Sequence, residues 1–271
     1  MSDSDRLAVL IDADNISAKV AKDLFEELAG YGTLTVKRAY GDWTTTHLTG
    51  WKDQLHEFAI SPMQQFAYTQ GKNSTDSALI IDAMDLLYAG NLDGFVLVSS
   101  DSDFTRLATR LREAGMTVYG IGARKTPSAF RDACDKFTFL EVLRDGPAPT
   151  DTPGEGPAEP VRDQGGLQSL LAKALNKTAS DDEDWSALGA LGSHLNRIDP
   201  SFDSRAYGFG KLSDLVHDQP YLETRTVESS DGRGQLWVRL KRGTARKRTS
   251  KKSSTKKTAA KSATAKADQQ A

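Results

Sequence analysis

The sequence predicts an α/β fold in which a mostly parallel sheet carries helices on both faces, followed by a small winged-helix (α+β) domain and a disordered basic tail. Three observations predict it. Residues 1–144 alternate short apolar runs with amphipathic stretches, the order that builds a parallel sheet between helical layers. Residues 145–166, DGPAPTDTPGEGPAEPVRDQGG, hold five of the nine prolines and almost nothing apolar, which reads as a linker. Residues 167–240 then regain helical and strand periodicity. From residue 241 to 271 Lys, Ala, Thr and Ser dominate, with too little apolar surface to offset the entropy of ordering.

In chain order, residues 7–11 form a buried strand, and 18–29 an amphipathic helix with Ser17 as N-cap and Gly30 or Gly32 as its stop. Residues 33–40 read as a strand, 48–58 as a helix and 63–68 as a strand. The stretch 76–88 is apolar on most sides, which predicts a helix buried in the middle of the domain. A strand follows at 95–99, a helix at 104–114, a strand at 117–121, a short helix at 128–133 and a last strand near Phe137. Beyond the linker come amphipathic helices at 167–178 and 185–198 and a third at 212–216. Two strands follow at 221–227 and 235–240, and the Asp231-Gly232 pair between them is a hairpin signal. Three helices and a hairpin make a winged helix.

Charge is divided unevenly. The 271 residues carry 35 Lys/Arg against 37 Asp/Glu, yet residues 241–271 hold eleven of those cations and one acid. The other 240 residues are left with 24 cations and 36 acids, so an acidic body carries a basic arm suited to a polyanion. No apolar run approaches the ~18 residues of a membrane span. The acidic start, MSDSDRLAVLID, does not read as a signal peptide, and a cytoplasmic location is expected. One cysteine, Cys134, fits a reducing compartment, and the four scattered histidines build no local zinc site.

In parallel sheets, ligands sit beyond the carboxyl ends of the strands. Acidic residues gather there: Asp12 and Asp14 with Asn15 in IDADN after the first strand, and Asp101 and Asp103 in VSSDSDF after the 95–99 strand. Asp76 opens the helix that follows KNST. Like charges crowded in one cleft repel unless cations bind, and all-oxygen ligands point to Mg²⁺ or Mn²⁺. Each residue also has an ordinary use: Asp103 as a helix cap, Asp76 as complement to a helix dipole, Asn15 in a turn. Asp82 does not share the face of Asp76. It and Asp85 read as supporting groups or surface charges.

IDADN at 11–15, AYGDW at 39–43, QQFAYTQGKNSTDSALIIDAMDLLY at 64–88, VSSDSDF at 98–104 and VYGIGARKTP at 118–127 together resemble the NYN domain. This PIN-like nuclease family includes the LabA-like bacterial proteins, and the resemblance runs over about residues 6–142. It implies a PIN-like, Rossmannoid sheet and a metal-dependent endoribonuclease with Asp12, Asp76, Asp101 and Asp103 as catalytic metal ligands. Asn15 matches the asparagine that accompanies the first Asp. Metal held there would activate a water and stabilise the pentacovalent phosphate, leaving a 5′-phosphate and a 3′-hydroxyl. Arg38, Lys72, Arg124 and Lys125 are the candidate phosphate contacts. Tyr40 and Trp43 either stack on unpaired bases or pack beside a turn. Ser99 and Ser100 either donate to phosphate or satisfy strand ends.

FDSRAYGFGKLSDLV at 202–216 resembles the OST-HTH/LOTUS domain, which implies RNA binding and contacts with a protein partner. Tyr207, Phe209 and Leu212 read as core anchors there, and Arg205 and Lys211 as phosphate contacts or solvated charges. The predicted organisation is thus an NYN domain at 1–144, a linker at 145–166, an OST-HTH/LOTUS domain at 167–240 and a Lys-rich tail at 241–271. The tail suits sequence-independent RNA binding through counterion release. A non-catalytic RNA-binding adaptor is the first rival reading. The second is a HAD-like phosphatase with Asp12 as nucleophile, which Asn15 disfavours because that chemistry wants Thr or Val in its place.

Overall fold

A computed structural model describes residues 5–66, 74–143, 164–179, 184–228 and 234–241. The first part runs β1 (Arg6–Asp12), α1 (Ala21–Leu28), β2 (Thr33–Gly41), α2 (Trp51–Glu57), β3 (Ser61–Gln64), α3 (Ser74–Ala89), β4 (Gly94–Val98), α4 (Thr105–Glu113), β5 (Thr117–Gly122), α5 (Ser128–Ala133), β6 (Lys136–Phe139) and α6 (Leu140–Leu143). Its six strands pair in parallel in the order β3-β2-β1-β4-β5-β6.

The period of two along β1 distributes the core. Leu7, Val9 and Ile11 pack with Leu24, Phe25 and Leu28 of α1, with Trp51 of α2, and with Leu140 and Leu143 of α6. Ala8 and Leu10 point to the opposite face, against Leu79 and Ala83 of α3, Leu107 and Leu111 of α4, and Phe130 of α5. Both faces are therefore covered, as all-parallel strands require. Ser17 accepts from the Lys19 N–H and caps a 3-10 turn (Ala18–Val20) that leads into α1, close to the expected start.

The second part runs α7 (Gln164–Thr178), β7 (Ser186–Ala187), α8 (Leu188–Ile198), α9 (Leu212–Asp218), β8 (Leu222–Glu228) and β9 (Gly234–Leu240). An antiparallel sheet, β7-β9-β8, packs with the three helices through Leu171, Leu175, Leu191, Leu195, Leu215, Val216 and Val238. Tyr207, Phe209 and Leu212 lie against this core, as their expected anchoring role requires.

Three local expectations are corrected. The helix expected at 185–198 begins at Leu188, because Ser186 and Ala187 pair with Val238 and Trp237 as strand. Trp185 just before them is buried, with the guanidinium groups of Arg225 and Arg239 at 4.2 and 4.5 Å from its ring centroid. β3 starts at Ser61, earlier than expected, because residues 61–64 pair with 38–41. Tyr68, the expected end, lies outside the described residues. α3 is not enclosed. It packs on one side only, so Leu79 and Ala83 are buried while Ile81 and Tyr88 are 63% and 73% exposed. The hairpin turn around Asp231-Gly232, nearly all of the proline-rich stretch and nearly all of the basic tail also lie outside the described residues.

The two parts touch along β6. The Phe137 N–H donates to the Pro200 carbonyl at 2.8 Å, and Arg131 donates to Ser201 Oγ at 3.1 Å. Arg205 makes two hydrogen bonds to Glu27, at 2.8 and 3.1 Å, and also pairs with Asp203. Glu27 accepts from the Tyr31 hydroxyl as well. Arg205 is thereby a junction residue, neither the phosphate contact nor the solvated charge that the sequence left open, since its fork is taken up by two carboxylates.

Candidate functional site

The strand order places the site. From β1 the chain proceeds outward through β2 and β3, then returns to pair β4 on the other side of β1. This reversal opens a crevice at the carboxyl ends of β1 and β4, where Asp12 and the 99–103 segment emerge.

Asp12 is 1% exposed. Its Oδ2 accepts from Asn15 Nδ2 at 2.9 Å and from Ser99 Oγ at 2.8 Å. Its Oδ1 is buried with no hydrogen-bond partner among the described residues. Burial pushes the Asp12 carboxyl above its ordinary value, the Asn15 and Ser99 hydrogen bonds only partly opposing it. Ser99 Oγ also accepts the Asp101 N–H at 3.1 Å and so links the ends of β1 and β4. Of the two uses open to the serines, the structure places strand-end satisfaction: Ser100 Oγ accepts the Ala123 N–H.

Asp76, Asp101 and Asp103 each present a carboxylate oxygen within 4.8 Å of the others. Asp76 comes from the first turn of α3 and the other two from the loop after β4, where Asp101 also caps a 3-10 turn (Ser102–Phe104) by accepting the Asp103 N–H. Asp12 lies outside that 4.8 Å group but close enough to act on it. The Asp76 carboxyl is pushed up to about 6, first by burial and then by the charges of Asp12, Asp101, Asp103 and Asp14. Carboxylates gathered closely enough to raise the proton affinity of Asp76, beside a buried Asp12 oxygen with no hydrogen-bond partner among the described residues, suit a hard divalent cation. The residues present fit Mg²⁺ or Mn²⁺.

The predicted phosphate contacts fare differently. Arg124 stands at the carboxyl end of β5. Its backbone N–H is bonded to Glu141, and its Nε is buried with no partner among the described residues. Lys125 beside it is exposed. Lys72 lies outside the described residues. Arg38 is used differently from the expected phosphate contact: its Nη1 donates to Asp82 of α3, which also accepts from the Tyr40 hydroxyl, so one end of the guanidinium is engaged within the fold. Tyr40 is 1% exposed and presents no stacking face, and Trp43 is half-buried with its Nε1 bonded to the Met63 carbonyl. Asn15 is spent, through its amide N–H, on orienting Asp12.

Sequence reading missed two contacts that hold the site. Thr75 Oγ1 donates to Asp14 Oδ2 at 2.8 Å and ties the first turn of α3 to the loop after β1. Asp82 ties the same helix to β2. A Thr directly before Asp76 was the visible signal for the first. For the second, Asp82 and Asp85 stood out in the apolar run as supporting groups or surface charges, with no signal of a partner on β2.

The sequence matches the family model of the NYN domain over residues 6–141 and that of the OST-HTH/LOTUS domain over residues 163–233. No curated protein matches the chain. Among solved structures, a protein of unknown function from Vibrio parahaemolyticus is 19% identical, with 51% of this chain and 94% of that one covered and a TM-score of 0.43. An uncharacterized protein from Nitrosomonas europaea is 31% identical over 35% of this chain and 87% of that one, TM-score 0.25. A Chromobacterium violaceum fragment is 29% identical over 31% and 90%, also at 0.25. At TM-scores below 0.5 these likenesses carry no weight for function.

Proposed function

The chain belongs to the NYN domain family, with an OST-HTH/LOTUS domain behind it, and from that premise we propose that it is a metal-dependent ribonuclease acting in RNA processing or decay. The observation that carries this reading is the convergence of Asp76, Asp101 and Asp103 within 4.8 Å, beside the buried Oδ1 of Asp12, which has no hydrogen-bond partner among the described residues. These four residues would hold Mg²⁺ or Mn²⁺. When bound, the metal supplies a water of lowered pKa and neutralises charge at the phosphate.

The protein's own groups supply the remainder. Asn15 and Ser99 hold Asp12 in one orientation by engaging its Oδ2, which leaves Oδ1 for the cation. Arg124, whose Nε at the end of β5 has no partner among the described residues, and exposed Lys125 would hold the scissile phosphate and its neighbour. The phosphodiester is cut by water, without a covalent enzyme intermediate. The OST-HTH/LOTUS domain and the basic residues beyond it would hold the rest of the RNA. No helix among the described residues is long and apolar enough to cross a membrane.

The test is cleavage of single-stranded and hairpin RNA, and of matching DNA, with Mn²⁺ or Mg²⁺, by the native chain and by Asp101→Asn. Metal-dependent RNA cutting by the native chain, lowered at least a hundredfold in the variant, is the expected result. Tight, metal-insensitive RNA binding without cutting would replace this reading with a non-catalytic adaptor, and equal cutting by both proteins would remove the carboxylate site from it.

A further inference from the structure

Helix α3 delivers Asp76 to the cluster, yet its apolar pattern does not specify how it is rotated. Ala78, Leu79, Ile80, Ile81, Ala83, Met84, Leu86 and Leu87 surround most of its axis. Leu79 and Ala83 are buried, while Ile81 is 63% exposed. A helix with apolar residues on nearly every side can bury similar surface in several rotations, because no single stripe is favoured. One residue's worth of rotation is about 100° and would swing Asp76 out of the crevice.

A polar contact selects one rotation. Asp82 Oδ1 accepts from Arg38 Nη1 and Asp82 Oδ2 accepts from the Tyr40 hydroxyl. The Arg38 and Asp82 side chains are 29% and 17% exposed, and Tyr40 is 1% exposed. Both donors project from β2, and Tyr40 stands beside Asp12 in the β1–β2 register. Asp82 follows Asp76 by six residues, about 9 Å along the axis and about 120° around it. The contact therefore holds the side of α3 that faces β2 while Asp76 faces the crevice. At the first turn, the Thr75 to Asp14 hydrogen bond of 2.8 Å tethers the same helix on the other side of Asp76.

We infer that Asp82, gripped by Arg38 and Tyr40, is a positioning residue whose work is to aim Asp76 into the carboxylate cluster. Partly buried ion pairs add little net stability compared with apolar replacements, but in some proteins they select one packing arrangement over its neighbours. In α3, where apolar residues leave the rotation degenerate, that discrimination falls to Asp82. The inference rests on the metal site proposed above.

The experiment titrates Mn²⁺ into the metal-free full-length chain by calorimetry, without RNA, and follows thermal unfolding in EDTA and RNA cleavage in parallel. The variants are Asp82→Leu, Asp82→Asn and Tyr40→Phe, with exposed Asp85→Asn as control. Asp82→Leu leaves Arg38 and the buried Tyr40 hydroxyl without their acceptor and is expected to melt below the native chain, while Mn²⁺ affinity of the folded protein falls about tenfold or more, the range found for residues that orient metal ligands. kcat should fall with it, with KM for RNA unchanged. Asp82→Asn and Tyr40→Phe should fall in the same direction by less, and Asp85→Asn should match the native chain. If Asp82→Leu does not fold, the two milder variants decide. Native Mn²⁺ affinity in the folded Asp82 and Tyr40 variants would overturn the positioning role while leaving the metal site intact. A native chain that neither takes up Mn²⁺ nor cuts RNA would overturn both.

Discussion

Replacing Asp76 by Asn is expected to stabilise the metal-free protein, although the residue belongs to the candidate site. In the folded chain its carboxyl is pushed up to about 6 from 3.8, first by burial and then by the neighbouring carboxylates. Raising a carboxyl from 3.8 to about 6 corresponds to about 3 kcal/mol at full weight. The side chain is only half-buried, so solvent screening reduces the expected effect to about 1 kcal/mol. The sign follows from linkage. A carboxyl whose folded pKa lies above its unfolded value binds protons more tightly in the native state, so it destabilises the fold above pH 6. That penalty disappears as pH falls from 6 towards 3.8. In EDTA at pH 7.5, Asp76→Asn should therefore melt about 2 to 4 °C above the native chain, and the gap should close by about pH 4. Saturating Mn²⁺ should reverse the order, because a ligand at a hundredfold excess over its Kd adds about 2.7 kcal/mol to the protein that binds it. Differential scanning calorimetry across pH 4 to 8, with EDTA or Mn²⁺, measures all of this. A variant no more stable than the native chain in EDTA at pH 7.5, or a gap independent of pH, would refute the crowding of charge at Asp76.

Two further substitutions probe the frame around the site. At Glu27, burial works to raise the carboxyl, but the hydrogen bonds from Arg205 and Tyr31 outweigh it and hold it below its usual 4.5. Its contribution is thus present above that value and lost as pH falls through the folded pKa. Glu27→Gln should cost about 1 to 2 kcal/mol in urea unfolding at pH 7 and much less in acid; equal midpoints at pH 7 would show that the junction with Arg205 adds nothing. At Gly122, a Cβ would lie 2.4 Å from the Ser99 carbonyl oxygen, where β4 and β5 close beneath Asp101. Gly122→Ala should cost about 1 to 3 kcal/mol and weaken Mn²⁺ binding by spreading those strand ends, which an unchanged melting temperature and Mn²⁺ titration would contradict.

The parts of this molecule that were legible in the sequence are those carried by topology. Parallel strands joined by helices put every carboxyl end on one edge, so an acidic residue after β1 and another after β4 meet once the two strands pair. That argument needed only the apolar runs at 7–11 and 95–98 and the residues that follow them. Individual partners were not legible, because hydrophobic periodicity reports burial and says nothing about which polar group faces which. Arg38 looked like a free cation beside an acidic crevice, and only the packing of α3 on β2 gives it Asp82, 44 residues away. Arg205 finds Glu27 across 178 residues, and Ser186 finds Val238 across the second sheet. α3 misled for a related reason: apolar residues on most sides were read as burial in the middle of the domain, whereas Ile81 and Tyr88 remain in solvent. A helix pattern that favours no face transfers the choice of rotation to polar contacts, and those are nonlocal. For Asp76 the sequence therefore supports the edge on which it lies, while the direction in which it points depends on Thr75, Asp82 and their partners on other elements.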